Sequence, residues 1–288
     1  MDIFPQLVVN SLITASIYAI LAIGFNLIYS TAKFFDLGFG ATTAVAGFAT
    51  FFFIDRLGLP LIISAFGGIV AAGLLSFFSY KLVYQPLRER KATSTVMLVA
   101  SLGIFTAVQA AIAILFTSQF RSLARNFDSA DSFKVLGGVF SFTQLILFIC
   151  ALLVTALLWI LITKTKFGKA LTAISDDEEV AKIVGINTSK ILGYMFFIAG
   201  CFGGLCGVLV GFDTGIEPNM GFVILLGAIV ATIIGGAGNV FSAAAGALLL
   251  GFIENFGIWK FSGEWKFAIS MVVLILFLLF RPKGIFKR

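Results

Sequence analysis

Few side chains of this sequence could do chemistry, and four of its carboxylates stand together. Asp176, Asp177, Glu178 and Glu179 form one run, and paired carboxylates are common in general acid–base catalysis. The sequence has no histidine for a Ser-His-Asp triad and no GxxxxGK[ST] segment to hold ATP. Its three cysteines stand singly, without the ligand spacing of a metal centre. The residues therefore predict a transport protein that is not an enzyme and that binds no metal or cofactor itself.

The acidic run is better explained as the beginning of a short helix in the polar segment 164–190. Ser175 and Glu178 have the spacing of a capping box, in which each side chain binds the backbone N–H of the other residue. Asp176 and Asp177, which lie between them, would place negative charge at the positive end of the helix dipole.

The same short helix has an end signal and an apolar face. Gly185 can adopt the left-handed conformation that ends a helix. Val180, Ile183 and Val184 are spaced so that they form one apolar stripe. A membrane protein that presents such a stripe on its water side is predicted to dock a soluble partner there.

Polar residues that interrupt the apolar segments mark a candidate solute pathway, because such groups tend to face a bundle interior or an aqueous cavity. These candidates are Asn10, Asn26, Asp36, Gly38, Gly40 and Glu254. Around Asp36 the glycines could break a helix at depth, as in transporters; the alternative is a carboxylate that is solvated or paired near Lys33. For Glu254 the alternative is a structural ion pair with Lys260 or Lys266.

The elements that must position these residues are membrane helices. Hydrophobic residues make up 60% of the 288 residues, charged residues 12%, and the mean hydropathy is +1.08. We predict an all-α polytopic membrane helix bundle, a single transmembrane domain over residues 1–288, with about nine spans and a range of eight to ten. The spans are placed at residues 7–29, 37–54, 61–80, 93–117, 135–163, 191–212, 221–234, 240–258 and 267–280, of which the second and seventh are short or broken by glycine.

Basic residues predict the orientation of the bundle. With segment 164–190 in the cytoplasm, fourteen Lys and Arg side chains fall inside and six fall outside. The N-terminus is then outside and the C-terminus is cytoplasmic, in a multi-pass protein of the plasma (inner) membrane. The net charge of +6 is explained by this topology and does not indicate nucleic-acid binding.

Several segments together resemble one protein family, the permease subunits of bacterial ABC importers for branched-chain amino acids, of the LivH type. The resembling segments are residues 18–29, 84–88, 167–187, 218–222 and 235–246, in that order. Relatives often carry His and Glu after the first span, where this chain has Phe39 and Ala41. The roles of that His and Glu therefore do not carry over to this chain, and its solute stays open.

The resemblance implies a permease that forms a translocation pathway for branched-chain or related amino acids. It implies cytoplasmic ABC ATPase subunits that use ATP and dock on the short helix, a second identical or related permease, an external solute-binding protein, and surrounding membrane lipid. The residues alone leave two alternatives open. One is a secondary transporter with an ion site at Asp36 or Glu254, and the other is a channel for a small solute such as urea or an amide.

Overall fold

The protein is a bundle of α-helices, as the sequence predicts. The computed structural model describes residues 3–116, 119–123, 132–135, 138–236, 238, 240–260, 262–281 and 284–285. Within these ranges, seven helices are long and apolar enough to cross a membrane, and two further apolar helices are shorter. Helices suit this role because they satisfy every backbone N–H and C=O group where lipid offers no hydrogen-bonding partner.

The elements follow the predicted spans closely. The first part of the chain forms α1 (Ile3–Ala32), α2 (Phe39–Asp55), α3 (Leu61–Ser79), a π-helical turn (Tyr80–Tyr84), α4 (Gln85–Glu89) and α5 (Ser94–Phe116). The second part forms β1 (Ser132–Val135), β2 (Gly138–Ser141), α6 (Phe142–Lys164), α7 (Lys166–Asp176), α8 (Glu178–Ile183), α9 (Thr188–Asp213), α10 (Met220–Gly235), α11 (Val240–Lys260), a 3₁₀ turn (Gly263–Trp265) and α12 (Lys266–Phe280). The two shorter apolar helices, α2 and α10, are the segments predicted to be short or broken.

The predicted beginning of the fifth span, at residue 135, is wrong. Residues there form an antiparallel hairpin in which Ser132 pairs with Ser141 and Val135 pairs with Gly138. Helix α6 begins only at Phe142 because Ser141 and Gln144 form a capping box. The N–H of Gln144 donates to the Ser141 hydroxyl at 3.2 Å, and the N–H of Ser141 donates to the Gln144 side-chain oxygen at 3.1 Å.

Helices α3 and α4 are joined through the π-helical turn into one rod, Leu61–Glu89, of 29 residues. The N–H of Gln85 reaches back five residues to the carbonyl of Tyr80. Pro86 follows directly, and its ring and missing N–H disturb an α-helical ladder one turn upstream. The wider turn is where we expect that disturbance to be absorbed.

The core lies between the most enclosed helices, α1 and α9, while α5 and α12 lie at the periphery. Phe25 and Phe196, one from each central helix, are completely buried. The short helices α2 and α10 touch at their first turns. The contact is so close that a Cβ added to Gly221 would lie only 1.9 Å from the carbonyl oxygen of Gly40. Glycine at this crossing therefore lets the two backbones meet.

Candidate functional site

The predicted docking helix is α8, and its N-terminal cap is Asp177. One Asp177 carboxylate oxygen accepts hydrogen bonds from the N–H of Glu179 at 2.8 Å and from the N–H of Val180 at 3.1 Å. The extended backbone of Asp177, with φ −153° and ψ 114°, separates α7 from α8. This is the usual geometry of an N-cap, which satisfies backbone donors that the helix itself cannot satisfy.

The predicted capping box of Ser175 and Glu178 is therefore wrong. Ser175 lies inside α7, where its hydroxyl donates to the carbonyl oxygen of Ser30 at 2.9 Å. Asp176 is the last residue of α7 and directly precedes the Asp177 cap, so it supplies charge near the start of α8 but no capping hydrogen bond. The polar segment contains two helices instead of one, and α7 packs Leu171 and Ile174 into the core.

The predicted end of the docking helix at Gly185 is confirmed. Gly185 has φ +87°, a left-handed conformation that glycine adopts without strain. Its N–H donates to the carbonyl of Lys182 at 3.0 Å, and the N–H of Ile186 donates to the carbonyl of Ala181 at 3.0 Å. These two bonds form a Schellman motif, so both ends of a six-residue helix are fixed.

The apolar stripe of α8 faces away from the protein. Val180, Ile183 and Val184 are 54%, 83% and 68% exposed, whereas Ala181 on the opposite side is buried. Hydrophobic side chains grouped in this way on a polar segment are typical of an interaction surface, as the sequence predicts for this helix. We call these three residues the docking face.

Glu178, at the first position of α8, holds two cations. Its carboxylate pairs with Arg88 of α4 and, at 2.9 Å, with Lys182 one turn along α8. Burial alone would raise the pKa of Glu178, but the Lys182 ammonium and the Arg88 guanidinium outweigh it and hold this pKa below its ordinary value. Glu178 is therefore ionised at neutral pH.

Asp36 lies in the break between α1 and α2, and it is buried. The same carboxylate oxygen accepts two hydrogen bonds, one from the Tyr84 hydroxyl at 2.6 Å and one from the N–H of Phe39 at 3.2 Å. Gly38 lies against both groups, since a Cβ there would be 3.0 Å from the Tyr84 hydroxyl oxygen. Asp36 is thus neither solvated nor paired with Lys33, and its partners are a tyrosine and the start of α2.

Glu254 of α11 is completely buried among three helices. Its carboxylate accepts hydrogen bonds from Ser270 of α12 and, at 3.0 Å, from the Tyr18 hydroxyl of α1. The Lys266 ammonium lies 3.7 Å away. The structure thus contains the ion pair with Lys266 that the sequence suggested.

The remaining polar candidates lie elsewhere. Asn10 is exposed and accepts a hydrogen bond from Gln6 at 3.1 Å. Asn26 is buried, and its side-chain oxygen accepts a hydrogen bond from the N–H of Gly238 at 2.9 Å. Because the four polar candidates contact different partners, the structure does not bring them together into one site.

Two other features of the structure are not among the sequence-based predictions. One is the hydrogen bond of Tyr84 with Asp36 and the ion pair of Arg88 with Glu178. Pro86, between Tyr84 and Arg88, is a local signal of an irregular turn but does not indicate these partners. The other is an apolar cavity of about 900 Å³ between α2, α3 and α5, with Arg56 and Arg121 in its wall. Apolar lining residues cannot be distinguished from lipid-facing ones by composition, so this cavity had no sequence signature.

Comparison with known proteins fits this architecture. Residues 7–278 match the family described as "Branched-chain amino acid transport system / permease component". The high-affinity branched-chain amino acid transport system permease protein BraD of Pseudomonas aeruginosa is 29% identical in an alignment of 298 residues that covers 99% of this chain and 96% of BraD. The high-affinity branched-chain amino acid transport system permease protein LivH of Escherichia coli is 28% identical in an alignment of 300 residues that covers 99% of this chain and 96% of LivH.

A further likeness covers only part of the chain. The galactose/methyl galactoside import permease protein MglC of Haemophilus influenzae is 32% identical over 170 residues, which are 56% of this chain and 48% of MglC. The family match spans nearly the whole helix bundle, including the break before α2 and the docking helix α8. The chain belongs to the family of permease components of branched-chain amino acid transport systems.

Proposed function

We propose that this chain is the membrane-spanning permease subunit of an ABC importer and forms the translocation pathway for branched-chain or related amino acids. Two cytoplasmic ATPase subunits use ATP and dock on this chain and on a second permease, identical or related. An external binding protein delivers the solute. This chain binds no cofactor of its own.

The observation that carries the proposal is the docking face on α8. A capped helix of six residues, about 9 Å long at 1.5 Å per residue, fits a shallow cleft on a soluble protein. Its apolar stripe is exposed to water, and burying it against a partner is favoured by about 25 cal/mol per Å² of apolar surface. The pair of Glu178 with Arg88 of α4 fixes this helix to the bundle, so the partner would meet a rigid surface.

The branched-chain amino acid assignment is supported by the relatives that cover the whole chain, BraD and LivH. The sugar permease MglC resembles only about half of the chain, which makes a sugar the weaker candidate. Glu254 also argues against a secondary transporter, because two hydroxyls and an ammonium already satisfy its carboxylate. A passive channel would have no use for the docking face.

Affinity purification of the tagged chain from detergent-solubilised native membranes tests the proposal. An ATPase with a P-loop should be recovered with the native chain and lost with Ile183→Asp or Val180→Asp, because a carboxylate desolvated in an apolar contact is strongly unfavourable. Uptake of labelled leucine by intact cells should disappear with either variant while the chain stays in the membrane.

Glu179→Ala is the matched control. This exposed side chain lies on the same helix, beside the docking face, and its loss should leave ATPase recovery and leucine uptake unchanged. Recovery of the native chain alone, from membranes that still take up leucine, would overturn the proposal and favour a secondary transporter or a channel.

A further inference from the structure

We infer that residues 84–88, which we call the linking segment, connect the docking helix α8 to the break between α1 and α2. In this arrangement, a displacement of α8 by the ATPase moves the first turn of α2. The inference rests on the proposed docking of an ATPase on α8. Tyr84 and Arg88 act here as positioning residues.

The cytoplasmic end of the link is Arg88. Its guanidinium pairs with Glu178, the first residue of α8, and also donates to the carbonyl oxygen of Ala32, at the end of α1, at 3.3 Å. The Arg88 and Glu178 side chains are only 19% and 29% exposed. Water therefore screens this pair less than an ion pair on an open surface, and α8 and the end of α1 are held by one side chain.

The other end of the link is Tyr84, one helical turn before Arg88. Its ring is buried against Phe34 and Phe196, at centroid distances of 5.0 Å and 5.5 Å. Its hydroxyl donates to the Asp36 oxygen that also accepts the N–H of Phe39, the first residue of α2. A buried carboxylate needs its donors, so moving Tyr84 must move Asp36 or leave its charge with fewer partners.

Residues four apart on a helix lie on the same face, which places both contacts on one side of the linking segment. The segment is helical, and its first residue, Tyr84, is also the last residue of the π-helical turn, a feature often found at functional sites. Beyond Phe39 the next residue, Gly40, touches Gly221 of α10. The path thus runs from α8 to the crossing of the two short helices by direct contacts.

The experiment measures the conformation of the break instead of solute uptake. A single cysteine is introduced as Leu37→Cys, in a chain that also carries Cys150→Ala, Cys201→Ala and Cys206→Ala. Leu37 is half-buried, and its N–H donates to the Ser101 hydroxyl at 3.0 Å. The rate of its reaction with a maleimide is measured in the purified complex, with and without ATP.

ATP should change this rate at least about fivefold, the lower end of the usual range for coupling between two sites. Tyr84→Phe keeps the ring but removes the hydroxyl, and it should abolish the ATP effect while the ATPase is still recovered. Arg88→Gln should do the same. Because the two contacts act in series, the loss of either one should be enough to abolish the ATP effect.

Tyr80→Phe is the matched control for the hydroxyl. Tyr80 is also buried, stacks on Phe196 at 4.9 Å, and bonds Ser189 instead of Asp36. Arg90→Gln is the control for loss of a cation, since Arg90 is an exposed neighbour of Arg88. Both controls should keep the full ATP effect on the Leu37→Cys rate.

Each other outcome has its own meaning. If no ATPase is recovered with the native chain, the proposed function fails and the inference falls with it. If the ATPase is recovered but ATP leaves the Leu37→Cys rate unchanged, or if either Tyr84→Phe or Arg88→Gln keeps the ATP effect, only the link is overturned. If Tyr84→Phe does not reach the membrane, Arg88→Gln alone decides.

Discussion

At Asp177 a single carboxylate determines where the docking helix begins. It satisfies two backbone N–H groups of α8 that have no partner within the helix, so its removal leaves a six-residue helix with a weak start. Asp177→Ala should therefore destabilise α8 by about 1 kcal/mol and lower its affinity for the ATPase about fivefold. The affinity is measured by titrating solubilised membranes with the purified ATPase.

Asp176→Ala is the control for this prediction. It removes the same charge one residue away, but Asp176 is exposed at the end of α7 and caps nothing in α8. Equal losses of affinity in the two variants would mean that only the charge matters, and would contradict a capping role for Asp177.

At the scale of elements, Glu254 joins three helices. Its carboxylate binds Tyr18 of α1 and both Ser270 and Lys266 of α12 from its position on α11. Glu254→Leu leaves the Tyr18 hydroxyl without its acceptor and the Lys266 ammonium without its carboxylate, and we expect a loss of stability of about 2–3 kcal/mol. Glu254→Gln keeps an acceptor and should lose less. Thermal unfolding in detergent, followed by size-exclusion chromatography, measures both losses.

Leucine uptake separates this structural role from an ion site. Glu254→Gln should keep uptake, since the three helices stay joined through its amide oxygen. The exposed residue Glu264, in the 3₁₀ turn before α12, supplies the control Glu264→Gln, for which we expect no change in stability. Loss of uptake in a stable Glu254→Gln protein would contradict a purely structural role.

The sequence predicted the elements far better than their contacts. Long apolar runs identify the spans, since a helix satisfies its backbone hydrogen bonds within one segment in lipid, and Gly185 identifies the end of α8. The apolar run that begins at residue 135 predicts continuous helix where the hairpin before α6 lies, although Ser141 and Gln144 have the spacing of a capping box. That spacing forms a real capping box at Ser141, whereas the Ser175 hydroxyl binds the carbonyl of Ser30 in α1 instead.

The contacts of the linking segment could not be predicted for a physical reason. Tyr84 and Asp36 are 48 residues apart, and Arg88 and Glu178 are 90 residues apart. Nothing local specifies such partners, because both depend on how the helices pack. The same holds for the polar candidates in the spans. Their residue types indicate that each needs a hydrogen-bond partner, but not which helix supplies it.

At the scale of the whole molecule, two helix pairs have the same form. A long helix, a break and a short helix follow one another in α1 and α2, and again in α9 and α10. With the predicted orientation, α1 enters from outside and α9 from the cytoplasm, so the two pairs run in opposite directions. Inverted repeats with broken helices are typical of transporters, and the contact of Gly40 with Gly221 places their two short helices together.

The opposite directions of the two helix pairs depend on the orientation of the chain, which labelling with a membrane-impermeant maleimide can test. Leu57→Cys, between α2 and α3, should react in intact cells, whereas Asp176→Cys, at the end of α7, should react only after the cells are permeabilised. Both positions are exposed, so a difference in reaction reports the side of the membrane and not burial. The excess of fourteen basic residues over six on the predicted inner side is the physical reason for this expectation. The reverse labelling pattern would place the docking face outside the cell, away from any ATP, and would contradict both the orientation and the proposed coupling to an ATPase.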